Sequence, residues 1–243
     1  MKRLYLLCIL LFPCFLFAQQ YTGLSGLIHI PSADMHPAGE ARVGGHFLNR
    51  EFLPNEDYYR LGTYHTGTYY LSVTPFSWME LAYTCTMVKI FKGKEDMDPK
   101  DVKYTSKDRY FSIKLRPLKE GKYWPSIAVG TNDPITTIEG KNQFFGNYFI
   151  AATKHISVKG HIFAAHLAYR HWKRDFNFKW NGVVGGVTYQ PSFQQNLRVI
   201  AEYTGADFNV GFDWKLWKHV LIQASLQDGK YFSGGLCFCL NLL

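Results

Sequence analysis

Glu40, Arg42, His46, Glu80, Asp108, Lys114, Arg116, His166, Arg170, Arg198, Glu202, Asp207 and Asp213 share one property. Each falls on the polar side of a stretch in which apolar and polar residues alternate with period two. If such stretches are strands of one closed sheet, these side chains converge on a common interior. Arg42, His46, Glu80, Asp108, Lys114, Arg116, His166, Arg198, Glu202, Asp207 and Asp213 are therefore the candidate lumen-lining residues. Two chemistries are open to them. Mixed signs in a narrow interior pair with one another and fill it structurally. The same groups also make a polar pathway in which guanidinium and carboxylate groups hydrogen-bond the hydroxyls of a sugar chain. Arg198 and Glu202 lie four apart on one strand, so pairing runs across to Asp207 or Asp213 on the next.

A nucleophilic or metal chemistry finds less support. His46, His65, His155, His161, His166, His171 and His219 are scattered, and no serine sits in a Gly-x-Ser-x-Gly turn between a strand and a helix. The nearest approach, Thr22-Gly23-Leu24-Ser25-Gly26, lacks both flanking elements. His161 and His166 are five apart, on opposite strand faces, and cannot chelate one ion. No Cys/His spacing suits zinc. Of five cysteines, Cys8 and Cys14 lie in the N-terminal apolar stretch, leaving Cys85, Cys237 and Cys239. Cys237 and Cys239 point in parallel from one strand face, a poor geometry for a disulfide, and read as free thiols. No catalytic residue, cofactor site or metal site is expected, and the protein is read as a non-enzyme.

The elements that position the polar set are about twelve strand-like segments after Glu40. They include Glu40–Asn49, Lys107–Arg116, Gln143–Thr153, Ala206–Trp214 and Tyr231–Asn241. In Ala206–Trp214, Phe208, Val210, Phe212 and Trp214 oppose Asp207, Asn209, Gly211 and Asp213. Connections alternate between short turns, such as Pro75-Phe76, and long polar loops, such as Lys89 to Ser106. Short turns at one end, long loops at the other and an even strand number form the signature of an outer-membrane barrel. The apolar faces agree, because a lipid-facing wall excludes charge. Trp78, Trp124, Trp214 and Trp217 on the short-turn side, with Trp172 and Trp180 on the other, read as two aromatic girdles. The charge-dense loop Lys92–Asp101 reads as a solvated outer loop.

Residues 1–18 read as a secretory signal: Lys2 and Arg3, an apolar stretch from Leu4 to Phe17, and Ala18 before Gln19-Gln20. The stretch is too short to span a bilayer as a helix. Aromatic residues make up 17% of the chain, the load of a protein that meets an interface. The formal charge of +8 is interspersed with acid and forms no basic block, so nucleic acid is not an expected partner.

Between the signal and the first strand lie Gly26-Leu27-Ile28, Pro31-Ser32-Ala33, Met35 and Gly39. These elements resemble the opening of the YjbH-like family of outer-membrane β-barrel proteins linked to exopolysaccharide production. The resemblance implies an accessory in export or assembly of surface polysaccharide. The end of the chain, with Ser233, Gly235, Phe238 and Leu240, resembles the assembly signal of outer-membrane barrels, although it runs on through Asn241-Leu242-Leu243.

The expected fold is all-β: an antiparallel up-and-down transmembrane β-barrel with an N-terminal signal peptide. Its parts are 1–18 signal peptide, 19–39 a periplasmic or plug-like segment, and 40–243 the barrel. The expected place is the outer membrane of a Gram-negative bacterium. Partners would be outer-membrane lipid and lipopolysaccharide, with polysaccharide and other envelope export proteins. The alternatives are an outer-membrane barrel enzyme (lipid hydrolase or acyl transferase) and a secreted β-sandwich that binds glycans.

Overall fold

The computed structural model describes residues 19–53, 64–89, 106–135, 144–217 and 219–242. Twelve antiparallel strands close into one barrel. They are β1 (Glu40–Leu48), β2 (Thr66–Phe76), β3 (Met79–Val88), β4 (Ser106–Leu118), β5 (Ser126–Asn132) and β6 (Asn147–Val158). The second half is β7 (His161–Trp172), β8 (Gly182–Gln190), β9 (Leu197–Tyr203), β10 (Phe208–Leu216), β11 (Val220–Gln227) and β12 (Tyr231–Asn241). Each strand pairs with its neighbours in sequence, and β1 closes on β12 with Glu40 opposite Asn241 and Phe47 opposite Gly234. Closure leaves no unpaired sheet edge. A soluble sandwich of two sheets is thereby excluded.

Local chemistry fixes where the strands turn. Lys159 and Gly160 both take positive φ between β6 and β7, as do Asp228 and Gly229 between β11 and β12. The first is a two-residue hairpin turn and the second a three-residue one, Asp228 to Lys230, and positive φ at their centres matches the twist of the strands they join. The β6–β7 turn is thus tighter than expected, and β6 extends to Val158 where the sequence suggested an end at Thr153. β10 begins at Phe208, two residues later than the alternation implied. The Thr204 N–H binds the Asp207 carbonyl at 2.9 Å, and the Asp207 N–H binds Thr204 Oγ1 at 3.0 Å. That turn takes Ala206 and Asp207 out of the ladder. Register shifts fall between Val73 and Phe76 and between Leu115 and Leu118. Pro75 and Pro117 sit in those gaps, where a missing N–H interrupts the pairing.

The two faces separate as the period requires. Leu71, Phe111, Leu167, Val187, Phe212, Phe238 and Leu240 point outward and are exposed. Trp78, Trp124, Trp214 and Trp217 are exposed toward the short-turn end, Trp78 stacking on Phe76. Trp172 and Trp180 are each 1% exposed and belong to no outer girdle. Trp172 has the same parity as Ala168 and Arg170, so β7 aims it into the lumen. Trp180 closes the 3-10 turn Asp175–Trp180 and tucks in beside it. Cys85, Cys237 and Cys239 are buried free thiols. Residues 1–18 and the loop Lys92–Asp101 lie outside the described residues. No helix among the described residues is long and apolar enough to cross a membrane.

The outer wall predicts its own solvent. Leu167→Arg, on the outward face of β7, is expected to destabilise the barrel by about 2–4 kcal/mol in a bilayer. Urea titration in lipid vesicles, read by heat-modifiable migration, measures it. A change within about 0.5 kcal/mol, the usual size for a watery surface, would show that this face does not meet lipid.

Candidate functional site

The lumen is filled by the chain's own N-terminal segment. From Gln19 to His36 every residue is buried, and Leu24, Leu27, Ile30 and Ala33 have no exposed surface. The segment folds on itself through isolated bridges from Gln19 to Ser25 and from Gly26 to Pro31. It packs on Phe149, Ala151, Ala168, Val184 and Ile200, apolar residues on the inward face of the strands. The core of this protein is therefore inside the barrel, between wall and segment. Two wall glycines make the space. A Cβ on Gly186 would come within 2.7 Å of Leu27 Cδ2, and one on Gly211 within 3.0 Å of Ile28 Cδ1.

A segment with so little regular structure carries backbone polar groups that need partners in a water-poor interior. The lumen residues supply them. Glu202 accepts hydrogen bonds from three consecutive backbone N–H groups: Ile28 at 3.0 Å, His29 at 2.8 Å and Ile30 at 3.3 Å. Asn209 Nδ2 donates to the same carboxylate at 2.8 Å. Glu80 accepts from the Ser25 N–H at 2.9 Å, from Ser25 Oγ at 2.7 Å and from the His36 N–H at 2.6 Å. Lys114, directly opposite Glu80 in the ladder, pairs with it at 3.1 Å and donates to the Ser25 and Asp34 carbonyls. Arg198 pairs with Asp213 across the β9–β10 ladder at 2.8 Å and reaches the Gly26 carbonyl. Arg170 donates to the His29 carbonyl at 2.8 Å and to Thr204 and Trp180 carbonyls.

The remaining expected lumen residues complete the lattice. His46 bonds Gln223, which bonds Asp213. Arg42 pairs with Glu40 and donates to Gln19 Oε1. Thr153 accepts from the Ala33 N–H and contacts His166 Nδ1 at 3.0 Å. Asp108 accepts from the Phe144 N–H. Arg116 and Asp207 fall outside this lattice and correct the expectation. Both have inward parity, but each lies at an end of the wall. Arg116 lies within the register shift in β4 and donates to the Ser77 carbonyl at the short-turn rim. Asp207 sits in the β9–β10 turn at the opposite rim, where it accepts from Trp180 Nε1.

A second anchor holds the segment at the short-turn end. His155 Nδ1 meets Glu120 at 2.7 Å, while its Nε2 lies 3.6 Å from the buried Asp34. Lys154 reaches Glu120 at 3.1 Å. Partial burial disfavours the charged form of Glu120. The His155 N–H and imidazole and the Lys154 ammonium outweigh it, and hold the carboxyl below its usual range. A carboxylate depressed on folding stabilises above its unfolded pKa and loses that contribution as pH falls through the folded value.

Among the described residues no cluster of His, Cys, Asp or Glu could hold a metal ion. One serine–histidine pair does form. Ser192 Oγ lies 3.2 Å from His161 Nε2, and His161 Nδ1 lies 2.9 Å from the Tyr189 hydroxyl. Sequence spacing missed it because two strands and a turn bring it together. A neutral phenol replaces the carboxylate that would stabilise an imidazolium. A mostly apolar concavity of about 610 Å³ runs beside Ala165, Leu167, Val187 and Phe208, and its lining also includes Thr153, His166 and Glu202.

Comparison with known proteins gives the following likenesses. A family model described as "Exopolysaccharide biosynthesis protein YbjH" matches residues 18–243. "Uncharacterized lipoprotein YjbH" of Escherichia coli (strain K12) is 27% identical over 268 residues, covering 92% of this chain and 35% of that protein. The chain thus spans about a third of the length of this curated relative. Among solved structures, outer membrane phospholipase A from Escherichia coli aligns with TM-score 0.36 and 10% identity, over 84% of this chain and 95% of that one. The Salmonella typhi outer membrane phospholipase (OMPLA) dimer aligns with TM-score 0.35 and 11% identity, over 83% and 89%. At such scores the likeness carries no implication for activity.

Two outcomes follow for the anchors. Hydrogen bonds to a charged acceptor contribute about 1.5–3 kcal/mol each, so Glu202→Gln is expected to raise opening of the segment by roughly tenfold or more. Maleimide labelling of a Ser32→Cys reporter, with Cys85, Cys237 and Cys239 changed to serine, measures opening. Labelling should also quicken below the pH at which Glu120 protonates, and Glu120→Gln should abolish that acid-dependent component.

Proposed function

Because this chain belongs to the YjbH family, we propose that it is a non-enzymatic outer-membrane β-barrel, accessory to the export or assembly of surface polysaccharide. The barrel, its apolar outer wall and the family description support an envelope protein linked to polysaccharide. The observation that carries the accessory reading is the lumen itself, lined with paired charges and occupied by residues 19–36 of the same chain. Such a lumen is closed at rest. It suits a gated or scaffolding part better than a general diffusion pore, whose interior is a standing water channel. Lipid and lipopolysaccharide would meet the wall and rim, and polysaccharide and other envelope export proteins would be its working partners. The signal at residues 1–18 would deliver it.

The enzyme reading keeps one specific observation, the Ser192–His161 pair. An outer-membrane acyl hydrolase or transferase built on it would lose activity on Ser192→Ala. Activity unaffected by that change, or absent from the wild-type protein, removes the pair as its basis.

Deleting the gene is expected to lower surface polysaccharide, measured as cell-bound and released hexose, with restoration by the intact gene. Unchanged polysaccharide would overturn the accessory role. In planar bilayers the intact barrel should conduct rarely, while a form lacking residues 19–36 should show stable ohmic steps.

A further inference from the structure

Near the long-loop end of the lumen the segment presents one ring to a nest of others. The His29 imidazole lies 4.8 Å from the Trp180 ring and 6.2 Å from Trp172, stacked on the latter at 27°. Phe52 stands 5.8 Å away on a third side. Around the same three residues the polar groups are equally ordered. Glu202 takes the N–H groups of Ile28, His29 and Ile30, and Arg170 takes the His29 carbonyl and Nδ1. Buried Trp172 Nε1 on the wall and His29 Nε2 on the segment have no hydrogen-bond partner among the described residues. A small cavity of about 10 Å³, room for a single water, opens against His29, Arg170 and Trp172.

What surrounds residues 28–30 is flat apolar rings, from β7 and two 3-10 turns, beside a carboxylate and a guanidinium. Rings of this kind take the C–H face of a sugar, and the charged pair takes its hydroxyls as donors and acceptors. Residues 28–30 meet the wall through the same set of interactions. An imidazole stands for the sugar ring, three N–H groups stand for hydroxyl donors to Glu202, and a carbonyl stands for an acceptor from Arg170. The orphaned Trp172 donor fits a second occupant better than this one, since buried polar atoms are nearly always paired.

We propose that Phe52, Trp172, Trp180, Arg170 and Glu202 form a saccharide-binding subsite at the long-loop end of the lumen, held closed by residues 28–30 as an internal stand-in for the sugar. This rests on the polysaccharide reading above and adds where a chain of sugars would first be held. The occupant is a hydroxyl-rich pyranoside chain. A peptide in the same groove is the competing outcome.

The test uses the full chain in detergent and an oligosaccharide ladder made by mild acid hydrolysis of the host's own surface polysaccharide. Tryptophan fluorescence reports binding. His29→Gly removes the stand-in ring and should bind the ladder roughly tenfold more tightly than the wild type. Adding Trp180→Ala should return the affinity to the wild-type level or below, while Trp180→Phe, which keeps a ring, should preserve the gain. Heat-modifiable migration confirms that each variant is folded. No gain in His29→Gly overturns the subsite. So does competition by a peptide copying residues 26–31 where the ladder has no effect. If the gene deletion lowers surface polysaccharide and the ladder still fails to bind, the subsite falls and the accessory role stands. If polysaccharide is unchanged but the ladder binds His29→Gly, the accessory role falls and the subsite stands.

Discussion

The structure turns on the need to satisfy backbone polar groups of an irregular segment inside a lumen that water barely enters. A carboxylate that accepts several N–H groups at once meets this need compactly, and Glu202 and Glu80 each do so. A buried carboxylate brings its own cost in lost hydration, which several donors and a counter-ion offset. Lys114 opposite Glu80 supplies that counter-ion directly, and Asn209 adds a donor to Glu202. Removing one partner from such a lattice costs far more than the pair is worth by itself, because the other charge stays behind.

Much of the wall was legible in the sequence. Alternation exposes the strands because period two is geometry and owes little to residue preference. Leu71, Leu167 and Phe238 point outward for the same reason that Arg42, Lys114 and Asp213 point inward. The cross-strand pair Arg198–Asp213 followed from placing neighbouring strands side by side. Strand ends were less legible. The short turn at Thr204–Asp207 and the prolines Pro75 and Pro117 act through individual hydrogen bonds that alternation does not encode.

The occupied lumen left a trace that alternation alone misreads. In Val183-Val184 and in Val199-Ile200-Ala201 both faces of a strand are apolar. A wall between lipid and water needs only one apolar face, so a second one calls for an apolar occupant on the inside. Val184 and Ile200 indeed pack with Leu24, Leu27 and Ile30. Gly186 and Gly211 interrupt the same region where Leu27 and Ile28 press closest. Trp172 was misplaced for a related reason. Tryptophan near a strand end suggests a membrane interface, yet its parity on β7 points inward.

The junction of segment and barrel has a consequence for the order of folding. Gly39, the root of the segment, bonds Thr74 through its N–H and Leu242 through its carbonyl, so the segment hangs from the β1–β12 seam. Its tip is held by Glu202, 174 residues from Ile28 in the chain. The segment ahead of β1 is thus held at its tip by a strand far along the chain. Glu80 and Lys114 come from β3 and β4, but the Glu202 contacts exist only once β9 is in place. Threading a pre-closed ring would require the segment to shed its hydrogen bonds and re-form them inside. Seating it while the wall is still an open sheet avoids that barrier and makes the final β1–β12 pairing a record that the interior is already filled.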